Sequence, residues 1–347
     1  MTLDQILQEI TSKLTGRPQD DAMYLLEQSE KYKSHEYHKE IFRMLERLAY
    51  ELDPNGTSNA FTKIIYENNL VAEMIIEEVG FQIYMKNFER ALYLMKPLVE
   101  DADKKCENID NKVNEYHYFN NEIEEILYVE LFKPAKELEQ MPEDFAYIYY
   151  KYGAVLYELE KYDEAKAAFK KANKINPVKV QILFALAEIS EMDENWDEYL
   201  DITSRCLKYS YLREDIARCY RNYGFYFSEH GNYEIAAALL LLSMHYDQES
   251  NVDVLDELSY ISDEIGRNIE PLSPKETLKI LKKNNIQAGP SALVLSIILS
   301  IAGHAQENKD EEKAEYFNAI FDNLGNPMGN EFLEEMIKSM KKKIKKK

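Results

Sequence analysis

The sequence predicts an all-α protein built from antiparallel helix pairs, and three observations carry that prediction. Glycine and proline are scarce, eleven and ten in 347 residues, about half the usual share, which argues against a turn-rich β protein. Apolar residues recur at spacings of three and four through most of the chain, the period of a helix with one buried face. One such pattern also returns about 34 residues later, as a repeated supersecondary unit would.

The elements follow in chain order. Segments 2–14, 20–51 and 109–132 have helical periodicity with no signature that fixes their pairing. Within the second, His35-Glu36-Tyr37-His38 sets two imidazoles at i and i+3 on a surface helix. No third ligand stands at a suitable spacing, so no metal is expected. Residues 72–105 form a fainter pair, with Ile75, Val79 and Met95 at helical spacing and a turn ahead of Asn87-Phe88-Glu89-Arg90-Ala91.

The clearest unit begins near Ala146. Tyr149, Tyr152, Gly153 and Leu156 share one helix face, the chain turns at Glu160 to Tyr162, and Asp163 is the expected N-cap of the next helix. There Ala165, Phe169 and Ala172 form the inner face, and Asn176-Pro177 ends the helix. A second copy carries Leu183, Leu186 and Ala187, then Trp196 at the turn, then Tyr199 and Cys206. Tyr220, Tyr223, Gly224 and Phe227 begin a third, followed by Gly231-Asn232-Tyr233 and by Ala236, Leu240 and Ser243. Residues 295–328 echo the pattern through Ile298, Ile301, Ala302, Lys309-Asp310, Ala314 and Phe321. Beyond them Phe332, Leu333, Met336 and Ile337 lead into Lys-Lys-Lys-Ile-Lys-Lys-Lys, read as a basic capping helix. Breaks are expected at Asp53 to Gly56, Lys133-Pro134, Met141-Pro142, Pro271 to Pro274 and Gly289-Pro290. The organisation is therefore an N-terminal helical region over 1–145, three repeats over 146–179, 180–213 and 217–250, and C-terminal helices over 251–347.

The run Tyr152-Gly153, Lys161-Tyr162-Asp163-Glu164-Ala165, Phe169, Ala172, Pro177 resembles the tetratricopeptide repeat, and the copy at 217–250 resembles it well. In the middle copy Ala187 stands for the glycine and Tyr199 for the small alanine. The resemblance implies a right-handed superhelical solenoid with a concave groove lined by the first helix of each pair. It places Tyr147, Tyr150, Tyr157 and Glu158 in that groove, then Phe184, Glu188 and Glu191, then Arg218, Arg221 and Phe225. A subclass of this family grips a terminal carboxylate with basic and amide side chains. Tyr150, Ala154, Ala185 and Asn222 stand at its places and only Arg218 fits, so that clamp is not expected.

Composition excludes other tasks. A net charge of −21, reached despite seven lysines between Lys338 and Lys347, repels phosphate backbones, so nucleic-acid binding is not expected. Cys106, Cys206 and Cys219 are an odd set without C-x-x-C spacing, as in a reducing, cytoplasmic compartment. The amino terminus lacks a cationic flank and apolar core, so no signal peptide is expected. The apolar stretches at Ala236 to Leu242 and Ala292 to Ala302 fall short of the ~20 residues of a membrane span. No phosphate-binding loop, dinucleotide fingerprint or nucleophile elbow occurs. The acidic run at Glu122, Glu124 and Glu125 reads as the wet face of a helix.

The expected function is a non-enzymatic scaffold or adaptor, without cofactor, that binds a protein or peptide segment through apolar anchors in an aromatic groove. One alternative is a peptide-responsive regulator whose N-terminal region contacts a target protein. Another is an enzyme with a helical catalytic region in 1–145.

Overall fold

The computed structural model describes residues 2–52, 71–107, 109–247, 252–270 and 272–325. The expected break at Asp53 to Gly56 and the lysine-rich capping helix lie outside them. Helices dominate, with one small parallel pair of strands. By its internal contacts the chain divides into two compact units: Met1–Ile109 with Tyr147–Ala168, and Asp110–Ala146 with Phe169–Lys347.

The first unit opens with α1 (Leu3–Ser12), α2 (Pro18–Tyr32) and α3 (His38–Leu52). A capping box between Thr2 and Gln5 starts α1. Pro18 opens α2, where its missing N–H costs nothing. The segment 20–51 is thus two helices. His35 lies in the turn between them, where its Nδ1 accepts the Tyr37 amide at 3.2 Å, and His38 is the first residue of α3. The two imidazoles do not share a helix as expected, because this local side-chain bond favours a turn. Ile6, Ile10, Leu25, Ile41 and Leu45 form the core of the three helices.

Two helix pairs follow in this unit, α4 (Val71–Tyr84) with α5 (Phe88–Cys106) and α7 (Phe145–Glu158) with the start of α8 (Tyr162–Ile175). In the second unit α9 (Val180–Met192) packs on α10 (Trp196–Tyr209), α11 (Arg213–Glu229) on α12 (Tyr233–Tyr246), and α15 (Ala292–Glu307) on α16 (Glu311–Gly325). Between the last two pairs stand α13 (Val252–Ile265) and α14 (Pro274–Lys283), both against α12.

One turn joins the helices in all five pairs. A single residue takes the left-handed conformation: Lys86, Glu160, Glu194, Gly231 or Lys309, with φ between +52° and +68°. The next amide then reaches back to a carbonyl five residues earlier: Asn87 to Gln82, Lys161 to Leu156, Asn195 to Ser190, Asn232 to Phe227 and Asp310 to Ala305, at 2.8–2.9 Å. This is the helix-ending motif in which a left-handed residue lets an orphan carbonyl find a donor. The following helix begins at once, at Phe88, Tyr162, Trp196, Tyr233 and Glu311. Asp163 is consequently the second residue of α8 and not its N-cap. The tight turn starts the helix one residue earlier, and Asp163 serves in the acidic first turn.

Inside the pairs the anticipated faces are buried, among them Tyr149, Leu156, Ala165, Phe169, Leu183, Ala187, Tyr220 and Ala236. Tyr199 fits in place of a small residue because its phenol leaves the pair. The hydroxyl donates to the Asn222 carbonyl in α11 at 3.1 Å. A Cβ on Gly224 would lie 2.9 Å from Leu240 Cγ and 3.0 Å from its Cδ2, so α11 and α12 approach closely here and a larger residue would force Leu240 to shift.

Segment 109–132 departs from the expected helix. Asn114–His117 is β1 and Glu122–Phe132 is α6, and Glu137–Gln140, as β2, pairs parallel to β1. The side chains of Asn111 and Asp110 take the amides of Asn114 and Tyr116 at 2.8 and 3.0 Å, bonds that compete with a helix. Helix α6 crosses between the strands and packs on α15, and Lys313 of α16 pairs with Glu122 at 2.5 Å.

The first unit also buries charge. Arg90 of α5 pairs with Glu46 of α3 at 3% and 6% side-chain exposure. Gln82 donates to Glu78 at 2.7 Å, and Arg47 meets Glu78 at 3.3 Å. Burial pushes the Glu46 carboxyl up to about 7, against the pull of Arg90.

Two sets of variants test this packing by urea denaturation. Gly224→Ala should cost about 1–3 kcal/mol by overpacking, less the ~1 kcal/mol gained from helix propensity. Gly303→Ala in α15 meets open space and should stabilise by about 0.5–1 kcal/mol. Arg90→Met should cost about 3–5 kcal/mol by stranding Glu46, whereas Arg90→Met with Glu46→Leu should recover most of that loss.

Candidate functional site

The residues named for a groove divide between the two units. Tyr147, Tyr150, Tyr157 and Glu158 lie in the first. Tyr147 is 40% exposed with Lys151 Nζ 5.3 Å from its ring centroid. Tyr157 is half-buried edge-on to Tyr162 at 5.4 Å, Tyr150 is half-buried, and Glu158 is exposed.

In the second unit, α9 and α11 bring four of the others together. Phe184 is 1% exposed, with the Arg218 guanidinium 4.3 Å from its ring centroid. It packs as a floor and offers no free aromatic face. Arg218 also pairs with Glu188. Glu191 is half-buried, and burial, with the charges of Glu188 and Glu229, raises its carboxyl above the usual range while Arg218 opposes. Arg221 points elsewhere, to Asp247 beyond α12 at 3.4 Å. Phe225 belongs to an aromatic group around Trp196, whose ring centroid lies 6.3 Å from Phe225, 6.0 Å from Tyr226 and 5.2 Å from His230.

This face therefore presents half-buried rings beside three carboxylates, one of them paired. Both arginines already hold carboxylates of their own chain. A ligand's carboxylate would have to displace Glu188 or Asp247, whereas an ammonium or guanidinium would meet Glu191 and Glu229. Among the described residues, no group of three or more His, Cys, Asp or Glu side chains could hold a metal ion. Nor, among the described residues, is any helix long and apolar enough to cross a membrane.

The second unit also holds a polar centre that the acidic run concealed. Glu124 is 1% exposed, while Glu122 and Glu125 are on the surface. Its Oε1 accepts from Lys179 Nζ at 3.0 Å and Tyr211 OH at 3.2 Å, and its Oε2 from Asn176 Nδ2 at 2.8 Å and the Asn120 amide at 2.9 Å. Asn121 caps α6 through the Glu124 amide at 3.1 Å and donates to Tyr211 OH at 2.8 Å. The carboxylate ties the start of α6 to the segments after α8 and α10. Periodicity held the signal: Glu124 falls on the stripe of Ile123, Leu127 and Tyr128, all buried. Its oxygens are filled by protein donors, so the centre is a brace and has no open position for a substrate. Asp215, in the first turn of α11, is buried too. Burial and Glu214 push its carboxyl up to about 6, with Arg218 and Lys179 opposing.

No protein-family model matches the chain, and no curated protein matches it.

The folded form holds the Asp215 proton more tightly than the unfolded chain, so this group's contribution to stability falls as pH rises from about 4 to about 6. Asp215→Asn should be more stable than the parent near neutral pH by an amount on the order of 2 kcal/mol. Urea titrations across that window should show the parent's decline flattened in the variant.

Proposed function

We propose that this chain is a non-enzymatic adaptor of the tetratricopeptide kind, binding an extended segment of another protein on the face formed by α9 and α11. The single observation that carries the reading is the repetition of one turn, with its left-handed residue, its back-reaching amide and an immediate helix start, at five places among the described residues. A hairpin so closed buries one face internally and needs neighbours for the other, which is how repeat scaffolds produce binding surfaces in place of enclosed reaction sites. The α9–α11 face, with Trp196 at the start of α10 beside it, supplies chemistry suited to recognition: Phe225 and Trp196 for apolar anchors, with Glu191 and Glu229 to select basic flanks. Charge there governs selectivity and on-rate, and the rings supply contact area at low rotamer cost.

Selection of a random peptide library on the full chain tests this directly. Recovered peptides should share an aromatic or aliphatic anchor next to Lys or Arg. Phe225→Ala should weaken them about 10-fold or more, by loss of a buried aromatic contact. Peptides rich in Asp and Glu, or binding indifferent to Phe225→Ala, would contradict the reading.

A further inference from the structure

The two strands differ in how their outer edges are finished. On β1 three of the four outward groups are taken: the Asn114 amide by Asn111 Oδ1 at 2.8 Å, the Tyr116 amide by Asp110 Oδ1 at 3.0 Å, and the Asn114 carbonyl by the Asn111 amide at 3.1 Å. Just beyond the strand, the Tyr118 amide donates to the Ile175 carbonyl at 3.4 Å. On β2 the amides of Glu137 and, just past the strand, Met141 donate to Val113 and His117 at 2.9 and 2.7 Å. The main-chain groups of Leu138 and Gln140 therefore point away from β1, and they have no partner among the described residues. An open strand edge is a template for another strand, and a two-stranded sheet gains stability from a third.

Side chains say what kind of strand fits. Glu137 and Glu139 share a face with Asn114 and Tyr116, and both glutamates are exposed. Leu138 is on the opposite face, that of His117, whose ring packs on Tyr128 of α6 at 4.4 Å. Helix α6 ends at Phe132, which is 45% exposed. Lys136 precedes the strand in the chain. A second copy of β2 would set Glu137 and Glu139 against the same pair, and like charges across strands repel.

We propose that the outer edge of β2 is a docking site for an extended segment of another protein in which basic and apolar residues alternate, added as a third strand beside Leu138 and Gln140. Main-chain bonds give the affinity, Lys or Arg at alternate positions meets Glu137 and Glu139, and the apolar residues between them lie on the Leu138 side. This surface is separate from the α9–α11 face, and it stands or falls independently of that reading.

The test uses the full chain and two synthetic peptides: a capped Lys-Ile-Lys-Val-Lys-Ile-Lys, and the same sequence with Glu for Lys. Fluorescence anisotropy at low ionic strength should show binding of the basic peptide only, weakening with salt. Leu138→Pro removes the outward amide and leaves the β1 ladder intact, because proline is tolerated where an edge N–H faces solvent. It should weaken binding at least about 10-fold. Glu137→Lys with Glu139→Lys, both on the surface, should do the same and decides the matter should the proline variant not fold. No binding by the parent, equal binding of the acidic peptide, or indifference to both variants would overturn the proposal. So would binding that appears only in a full chain whose lysines from Lys341 to Lys347 are replaced by Gln, since its own terminal segment would then hold the edge. Self-association of the parent lost in Leu138→Pro would instead assign the edge to a second copy and overturn it too.

Discussion

Two helices can lie face to face only if the chain reverses within a few residues without leaving buried carbonyls unmet. Here that reversal is made five times by the same means, a left-handed residue followed by an amide that reaches back five positions. At Lys86, Glu160, Glu194 and Lys309 the left-handed conformation costs a non-glycine residue about 1–2 kcal/mol, and only at Gly231 is it free. That the cost is accepted four times shows how strongly the packing of the paired faces over-determines the turn. The register of each pair follows. Once the turn is closed, residues such as Gly224 and Leu240 meet at fixed height, and the next helix begins with its apolar face already aimed.

Polar groups in the interior give each unit a specificity that apolar stacking lacks. The Glu46–Arg90 pair joins α3 to α5, a contact that helical periodicity alone would allow to slip by a turn. Glu124 plays the corresponding part in the second unit, where its four donors come from three separated stretches of chain. A carboxylate satisfied in this way tolerates no shift of α6, because moving one donor strands a buried charge. These groups are poor candidates for chemistry and good ones for holding an irregular insertion in place.

Much of this was legible in the sequence. Small and aromatic residues at i, i+3, i+4 and i+7 placed the buried faces of α7 to α12, and the turns at Glu160, Gly231 and Lys309 were marked by their following Tyr, Tyr and acidic residues. The strands were not legible. Asn114 to His117 is too short for alternation to show, and its conformation is imposed by Asp110 and Asn111 capturing its amides. His35 and His38 misled for the same reason, since a side-chain bond to a neighbouring amide ends a helix that spacing would continue. Of the candidate surface, the types of residue were readable and their pairings were not. Nothing in the sequence says that Arg218 covers Phe184 and holds Glu188, or that Arg221 turns to Asp247, and those pairings decide which ligand charge the face prefers.

Native-state hydrogen exchange at the turn amides tests the central claim most directly. If the back-reaching bonds close each hairpin, the amides of Asn87, Lys161, Asn195, Asn232 and Asp310 should exchange as slowly as the interiors of the helices they join, opening only when the pair opens. Exchange at those five amides near the rate of an unstructured chain, while the flanking helices remain protected, would contradict the account.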